Sequence, residues 1–492
     1  MLVDIRPSAR LSGPEPIDVA AVLGPVLEAL REDGVDLERV RVVCDWIQYR
    51  NNFRQPVDLR PVLAAPDAPE DLEVAVDLRR CGDGAVAGAA TREALAAHRD
   101  PAARVRLGDW GPGRTGPVWD FNALYWRELA LWERDTGRGY EQALPGGRSD
   151  ARNEAGAREL IGELIAVWDE LTARGELPET LYVAELGVGN GNQARTWLDT
   201  FLAMDRERRY YPRLHYLMGD YAPRVLEQAR AATGEHADRV STLVLDATRP
   251  AATLGFLRGR AFLVYLSNVY DNLPTDEVAR IGGRPYRVET RAYLPAGDSE
   301  RIAGGVRAEP GDLPRLAARL LKAGPELLAE ALPRHFSDTA AAVRFWRDCW
   351  AALRLEERYV PLPVLADYEP APSVPGESLG PVLEAGGDVR MQVSNGALAS
   401  LTDTLRLLHP RGRVHCHDLF VTDPRRYAAA FCGPGKYDGS VVNWVNGPLL
   451  RDAAARHGCT VSYRAFTHRE RSNIVTLTAS PDATAPAALR SA

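Results

Sequence analysis

The chain has 492 residues, 45% of them hydrophobic and 26% charged, the composition of an ordinary soluble globular protein. That length holds about three domain equivalents of roughly 150 residues, or one α/β domain with added segments. A net charge of −7 argues against a dominant nucleic-acid surface, which is usually basic.

In chain order, residues 1–117 read as an amino-terminal extension with no catalytic signature. A helix is expected from Asp18 to Leu30, with Val19, Val22, Leu23, Val26, Leu27 and Leu30 on one face. A short strand is expected over Arg39–Val43, and glycine punctuation at 82–88 and 111–113. Residues 118–274 begin with helices over Phe121–Arg134 and Ala157–Leu171, separated by a loop at 137–150. Strand and helix then alternate: Leu181–Leu186, Asn192–Met204, Leu214–Met218, Pro223–Thr233, Ser241–Leu245 and Ala261–Ser267. Such alternation means a parallel, Rossmann-like α/β sheet with helices on both faces.

The alternation breaks at 275–390, which is too long for a loop. This block holds a strand (Tyr286–Tyr293), two helices (Leu313–Leu332, Ala340–Arg354) and a proline-rich stretch at 361–375. It reads as an insertion that caps a second-substrate pocket. The α/β pattern resumes over 391–480, with helix Ala397–Leu408, strand Arg413–His417, helix Pro448–His457 and strand Asn473–Thr478. Residues 481–492 are expected to be a flexible tail.

The segment with most chemical content follows the first strand of the alternation. Glu185 ends that strand, and Gly187, Gly189 and Gly191 pave the turn into the next helix. Bare backbone there lets a ligand lie close. Gly189-Asn-Gly191-Asn-Gln-Ala194 also fits the dinucleotide pattern G-x-G-x-x-A, but Asp220 stands 29 positions after Gly191, where about 20 are expected for a ribose-binding acid. Glu185 would repel a pyrophosphate and suits a cationic sulfonium amino acid. S-adenosylmethionine (SAM) is the better occupant. Asp220, ending the second strand, would accept from the ribose hydroxyls, and Asp246, ending the third, from the adenine amino group.

The fourth strand ends in Ser267, Asn268, Tyr270, Asp271 and Asn272, polar groups placed where a methyl acceptor would meet the sulfonium. His415, His417 and Asp418 end the strand at 413–417; with no second histidine cluster, no metal is expected. Phe345, Trp346, Trp350 and Trp444 read as packing residues.

The order of these features resembles the MidA-type SAM-dependent methyltransferases, relatives of the mitochondrial complex I assembly arginine methyltransferase. Trp126-Arg-Glu-Leu-Ala-Leu-Trp132 with Gly137-Arg-Gly139-Tyr140, Ile161-Gly-Glu-Leu-Ile-Ala-Val-Trp168, Glu185-Leu-Gly-Val-Gly-Asn-Gly191, Asp271-Asn-Leu-Pro274 and Gly439-Ser-Val-Val-Asn-Trp-Val445 carry the likeness, which spans roughly 118–478 with gaps. It implies a class I methyltransferase sheet. It also implies SAM held by Glu185, Gly187, Gly189, Gly191, Asp220, Asp246 and Ser267, with Asn268, Tyr270, Asp271 and Asp418 facing the acceptor. The chain departs from the family at three places. Ser267-Asn268 stands for its Asn-Glu, Gln392-Val-Ser-Asn395 for its E-x-S-P, and Asp418-Leu-Phe420 for its D-Y-G. An arginine guanidinium favours paired carboxylates, and two of the acids have become amides.

The expected activity is methyl transfer from SAM to a small molecule or a protein side chain. The alternatives are an NAD(P)-dependent oxidoreductase and a catalytically silent assembly protein on the same fold. Cys44, Cys81, Cys349, Cys416, Cys432 and Cys459 form no CxxC pair, and residues 1–13 hold no apolar core of signal-peptide length, so a cytoplasmic setting is expected. No run of 18 apolar residues occurs, so no membrane partner is expected, nor a nucleic acid; an oligomer is compatible. Only Lys322 and Lys436 are lysines among 60 basic residues, which reads as a genome-composition bias.

Overall fold

The computed structural model describes residues 2–5, 18–45, 53–61, 72–78, 80–143, 153–385, 387–429, 433–468 and 472–482. Most of the tail expected at 481–492, Cys432, and the loop expected at 137–150 beyond Ala143 lie outside these residues.

A seven-stranded sheet organises the chain. Its strands, labelled in chain order, are β1 (Leu181–Leu186), β2 (Leu214–Asp220), β3 (Val240–Val244), β4 (Ala261–Ser267), β5 (Leu408–Asp418), β6 (Cys459–Ala465) and β7 (Val475–Pro481). The spatial order is β3-β2-β1-β4-β5-β7-β6. β1 to β5 are parallel, and β7 runs antiparallel to both β5 and β6. The sheet is therefore mostly parallel, and the α/β architecture read from the alternation is present.

Side chains alternate across the sheet, which needs a core on each face. Val183, Tyr216 and Met218 point to one core, completed by Leu160, Ile161 and Trp168 of helix Glu154–Arg174 and by Trp197 and Phe201 of helix Asn192–Met204. Ala184, Leu186 and Leu217 point to the other, with Leu398 and Leu401 of helix Asn395–Leu405 and Leu450 of helix Gly447–Arg456. Phe262 and Leu263 both face the first core. A register shift between Ala261 and Leu263 explains the broken alternation.

The 275–390 segment builds its own antiparallel sheet from Glu277–Ile281, Arg284–Pro295, Arg354–Pro361 and Val389–Gln392. Arg104–Arg106 and Gly111–Pro112 pair with its long strand. Helices Ala296–Gly305, Leu313–Ala331 and Thr339–Ala352 pack with the lead-in helices Pro117–Arg127 and Leu129–Thr136 around Trp119, Trp132, Trp346 and Trp350. Phe345, Trp346, Trp350 and Trp444 are all buried, as packing residues should be.

At the amino terminus, Leu2–Ile5, Val40–Asp45, Leu72–Asp77 and Val57–Pro61 form a four-stranded sheet in that order, with helices Val19–Glu32 and Gly84–Arg99. The expected punctuation at 82–88 is instead the start of the second helix. Asp83 caps it by accepting from Ala85 N at 2.8 Å. A Cβ on Gly84 would lie 2.4 Å from the Ala21 carbonyl oxygen, so this glycine serves close helix–helix approach.

A buried charge network ties this unit to the inserted sheet. Arg54 donates to both oxygens of Glu357 at 2.5–3.0 Å, and Arg390 bridges Glu357 (2.8 and 3.0 Å) and Glu277. Each of the four residues is no more than 9% exposed. Two cations and two anions close the charge, the condition under which buried ions are tolerated.

Candidate cofactor site

The carboxyl ends of β2, β1 and β4 converge on one loop. β1 is the strand from which the chain winds outward in both directions, and open α/β sheets bind ligands at such a switch point. Gly187, Gly189 and Gly191 all have left-handed φ, at 73°, 55° and 77°. Two of them also have no room for a side chain: a Cβ would meet Val269 Cγ2 at 2.6 Å from Gly187, and Ala229 Cα at 2.6 Å from Gly191. Gly189 differs. The nearest atom to its missing Cβ is the Tyr140 hydroxyl at 3.8 Å. The loop therefore packs closely on its flanks and leaves bare backbone at its centre.

Asp220 joins the loop. Its carboxylate accepts from Gly189 N at 3.3 Å and Ala222 N at 3.1 Å. Burial pushes its pKa up against these backbone bonds. A carboxylate has about four lone-pair sites, and Tyr221 N also bonds Asp220, so acceptor capacity remains for a ribose hydroxyl. Asp246 ends up differently. It is exposed beyond the end of β3, accepts from Thr248 N and Oγ1 at 2.8 and 2.7 Å, and lies 3.6 Å from Arg249 Nε.

Glu185 is 3% exposed, and its carboxyl accepts from the Tyr216 hydroxyl at 2.6 Å. Burial pushes it up to about 8, with the Tyr216 bond opposing and Asp220 reinforcing. Below that pH it is largely neutral. The expectation that Glu185 repels a pyrophosphate by charge is thereby corrected. A different observation now bears on the dinucleotide reading. A pyrophosphate sits on helix N-terminal N–H groups, but here Asn192 N at the helix start already donates to Asn190 Oδ1 at 3.1 Å.

At the end of β4, Ser267 Oγ is buried beside the Tyr265 hydroxyl. Asn268 has φ of 52° and donates its N–H to His417 O at 2.9 Å. A non-glycine residue in that region is uncommon and concentrates at functional sites. Tyr270, Asp271 and Asp418 are brought together, but in the interior, at 1%, 6% and 0% exposure. Asp418 accepts from Tyr270 N (2.8 Å), Asp271 N (3.3 Å) and Leu419 N (2.7 Å). Burial raises both Asp418 and Asp271 above the carboxylate range, and the Asp418 charge raises Asp271 further. The three staple the β4 and β5 loops together. Among the described residues no group of three or more His, Cys, Asp or Glu could hold a metal ion.

Sequence reasoning assigned no site role to the lead-in helices, yet they roof this region. Besides Tyr140, Asn122 Nδ2 donates to Asn272 O at 2.8 Å and Trp126 Nε1 to Asn272 Oδ1 at 3.0 Å. Tyr221 follows Asp220, is 39% exposed and donates to Ala123 O. The Gly-Arg-Gly-Tyr140 pattern was the available signal. The residues present fit a SAM-sized nucleoside: bare backbone at Gly189 and spare acceptor capacity on Asp220.

No family model matches the chain, and no curated protein matches it. Among solved structures it is similar to a presumptive methyl transferase from Burkholderia thailandensis bound to S-adenosyl-homocysteine, at 15% identity over 75% of this chain and 88% of that one, with a TM-score of 0.41. An uncharacterized ACR protein from the same organism matches at 15% identity over 72% and 73% of the chains, with a TM-score of 0.39. Human N-acetylserotonin methyltransferase in complex with SAM matches at 11% identity over 72% and 67%, with a TM-score of 0.24.

Proposed function

We propose that the chain is a SAM-dependent methyltransferase, a divergent member of the MidA type working in the cytoplasm. The observation that carries this reading is the contact between the centre of the glycine loop and the acid of the next strand, Gly189 N to Asp220. It presents bare backbone and a carboxylate to one ligand at the switch point of the sheet. The helix start capped by Asn190 weighs against the NAD(P) alternative, as does the sheet order, because an antiparallel strand interrupts the all-parallel dinucleotide arrangement.

Bound SAM supplies an activated methyl group on a sulfonium. Gly187, Gly189 and Gly191 leave space for its methionine and ribose parts. Asp220 accepts from the ribose hydroxyls, exposed Asp246 from the adenine amino group, and Ser267 Oγ supplies one further polar contact. Glu185 acts from beneath the loop, ionising when a cation arrives above it. The protein's work is alignment of donor and acceptor, with a base needed only where the acceptor carries a proton. Asn268 is the acceptor-facing group. Its amide suits a neutral nucleophile better than a guanidinium, which favours carboxylates. Tyr270, Asp271 and Asp418 hold the two loops in place rather than touching the acceptor.

The burial of Asp271 and Asp418 also favours a second reading, a SAM-binding scaffold without turnover. Calorimetry with SAM tests the first step. Wild-type protein should bind, and Asp220→Asn should bind at least about tenfold more weakly while remaining folded. No heat from SAM, or binding of a nicotinamide dinucleotide instead, overturns the proposal. Transfer of labelled methyl from SAM into a fractionated lysate separates enzyme from scaffold, and protein acceptors from small ones.

A further inference from the structure

A second cleft, of about 590 Å³, opens where the amino-terminal unit, helix Thr339–Ala352 and the hairpin Gly435–Tyr437/Ser440–Val442 meet. Arg80, Arg344, Arg347, Arg354 and Lys436 line it against only Asp348 and Asp438. Both acids are already engaged. Asp348 lies 3.2 Å from Arg301; Asp438 pairs with Arg138 at 3.1 Å and accepts from Tyr125 Oη and Trp132 Nε1. Of the cations, Arg347 pairs with Asp135 and Arg80 donates to Arg54 O. Among the described residues, Arg344, Arg354 and Lys436 have no carboxylate within ion-pairing distance.

The two inner cations are the informative ones. Lys436 is one of only two lysines in the chain and is 9% exposed. Its ammonium donates to Ala351 O (2.9 Å) and Leu353 O (2.7 Å) and lies over the Phe53 and Trp350 rings. Arg354 donates to the same two carbonyls at 2.9 and 3.0 Å, while its buried Nε has no partner. A bland reading is a capped helix C-terminus. That terminus offers roughly half a negative charge, shared here by two basic groups held side by side. Burial pushes both groups down from their ordinary pKa, helped by Arg80 at Arg354 and by Arg354 and Arg80 at Lys436. Neither group has a carboxylate in direct contact among the described residues; Asp298 acts on both, and Glu93 on Arg354, only at longer range.

We propose that this cleft binds a phosphate-rich small molecule, a polyphosphate-bearing anion seated on Arg344, Arg354 and Lys436. Guanidinium forks match phosphate oxygens bidentately, and an ammonium adds a point charge. The volume lies in the range of ordinary ligand pockets. The walls contributed by Trp132 and Trp350 would cover the ligand's organic part. The proposal is independent of the methyl-donor site.

The test uses sodium tripolyphosphate as the probe, with citrate as the carboxylate arm and sodium chloride at matched ionic strength as the control. Calorimetry and thermal melting are read on the full chain without SAM. Tripolyphosphate should bind at one site and raise the melting temperature, with citrate weaker. Arg344 is exposed and unpaired, so Arg344→Glu should fold normally and weaken binding at least about tenfold. Lys436→Met should weaken it too, and Arg344→Ala provides a milder second variant. The proposal is overturned if neither anion binds beyond the chloride control, or if citrate binds more tightly. Binding unchanged in Arg344→Glu, or binding of an acidic oligonucleotide only, overturns it as well.

Discussion

Replacing Glu185 by glutamine should stabilise the protein above neutral pH and leave it nearly unchanged near pH 5. In the unfolded chain Glu185 ionises near its ordinary 4.5, while burial holds the folded carboxyl's proton up to about 8. Between those values the folded state binds more protons than the unfolded state, so this group's contribution falls as pH rises. The full displacement from 4.5 to about 8 amounts to about 5 kcal/mol at about 1.4 kcal/mol per pH unit. Glutamine cannot ionise, and its amide oxygen can still accept from Tyr216. The stability of Glu185→Gln relative to wild type should therefore grow by about 3 to 4 kcal/mol between about pH 5 and pH 8. Asp220, Asp271 and Asp418 titrate in both proteins and largely cancel in the difference.

Urea unfolding followed by tryptophan fluorescence reads this directly, because Trp168 and Trp197 sit in the core that holds Tyr216. A difference that stays flat to within about 0.5 kcal/mol across that range refutes the buried-proton argument. The same proton links to ligand binding. If a sulfonium amino acid docks above Glu185, wild-type affinity should rise with pH up to about 8, with proton release visible as a buffer-dependent calorimetric enthalpy. In the glutamine variant both effects should vanish.

Two further substitutions separate packing from strain. Gly191→Ala must adopt a left-handed φ and place a Cβ 2.6 Å from Ala229 Cα, so it should cost more than the roughly 1–2 kcal/mol of strain alone and weaken SAM binding. Gly259→Ala has a similar φ with nothing within 4 Å, and in denaturant melts it should show the strain cost only. Arg390→Met leaves Glu277 and Glu357 buried without their shared cation and should destabilise by about 3–5 kcal/mol. Adding Glu277→Leu should restore part of that loss in the same melts.

The main sheet was legible because its central strands are buried on both faces and read as apolar runs. Ala261–Ser267 and Asn192–Met204 were placed at their observed bounds. Strand β6 is a largely exposed edge and was missed although Cys459, Val461, Tyr463 and Ala465 alternate with polar residues at the strand period. Arg354–Pro361 was missed because its charges hide the strand until their partners are known: Glu356 meets Arg104 and Arg291, and Arg358 meets Glu289. Helix Gly84–Arg99 was hidden by glycines whose role lies in a contact with another helix. In the site, the glycine loop and Asp220 were local signals. The burial of Tyr270 and Asp271 was not, because it depends on a carboxylate nearly 150 residues away.

Asn268 and Gln392, the amides that stand where the MidA-type pattern has acids, do not carry the same information about the proposed acceptor. Gln392 is fully buried in the inserted sheet and lies directly opposite Glu277 across an antiparallel pair, so the two side chains share a face. A glutamate there would put a further carboxylate beside an arginine, Arg390, already shared by Glu277 and Glu357, and like charges directly opposite are destabilising. The ion network thus favours neutrality at 392 whatever the acceptor, although the Gln392 amide itself makes no hydrogen bond within it. Asn268 answers to no such constraint. It stands at the end of β4 in a left-handed conformation, which an asparagine tolerates better than most residues. On the proposed methyl-transfer reading, the amide at Asn268 is therefore the one that bears on the acceptor.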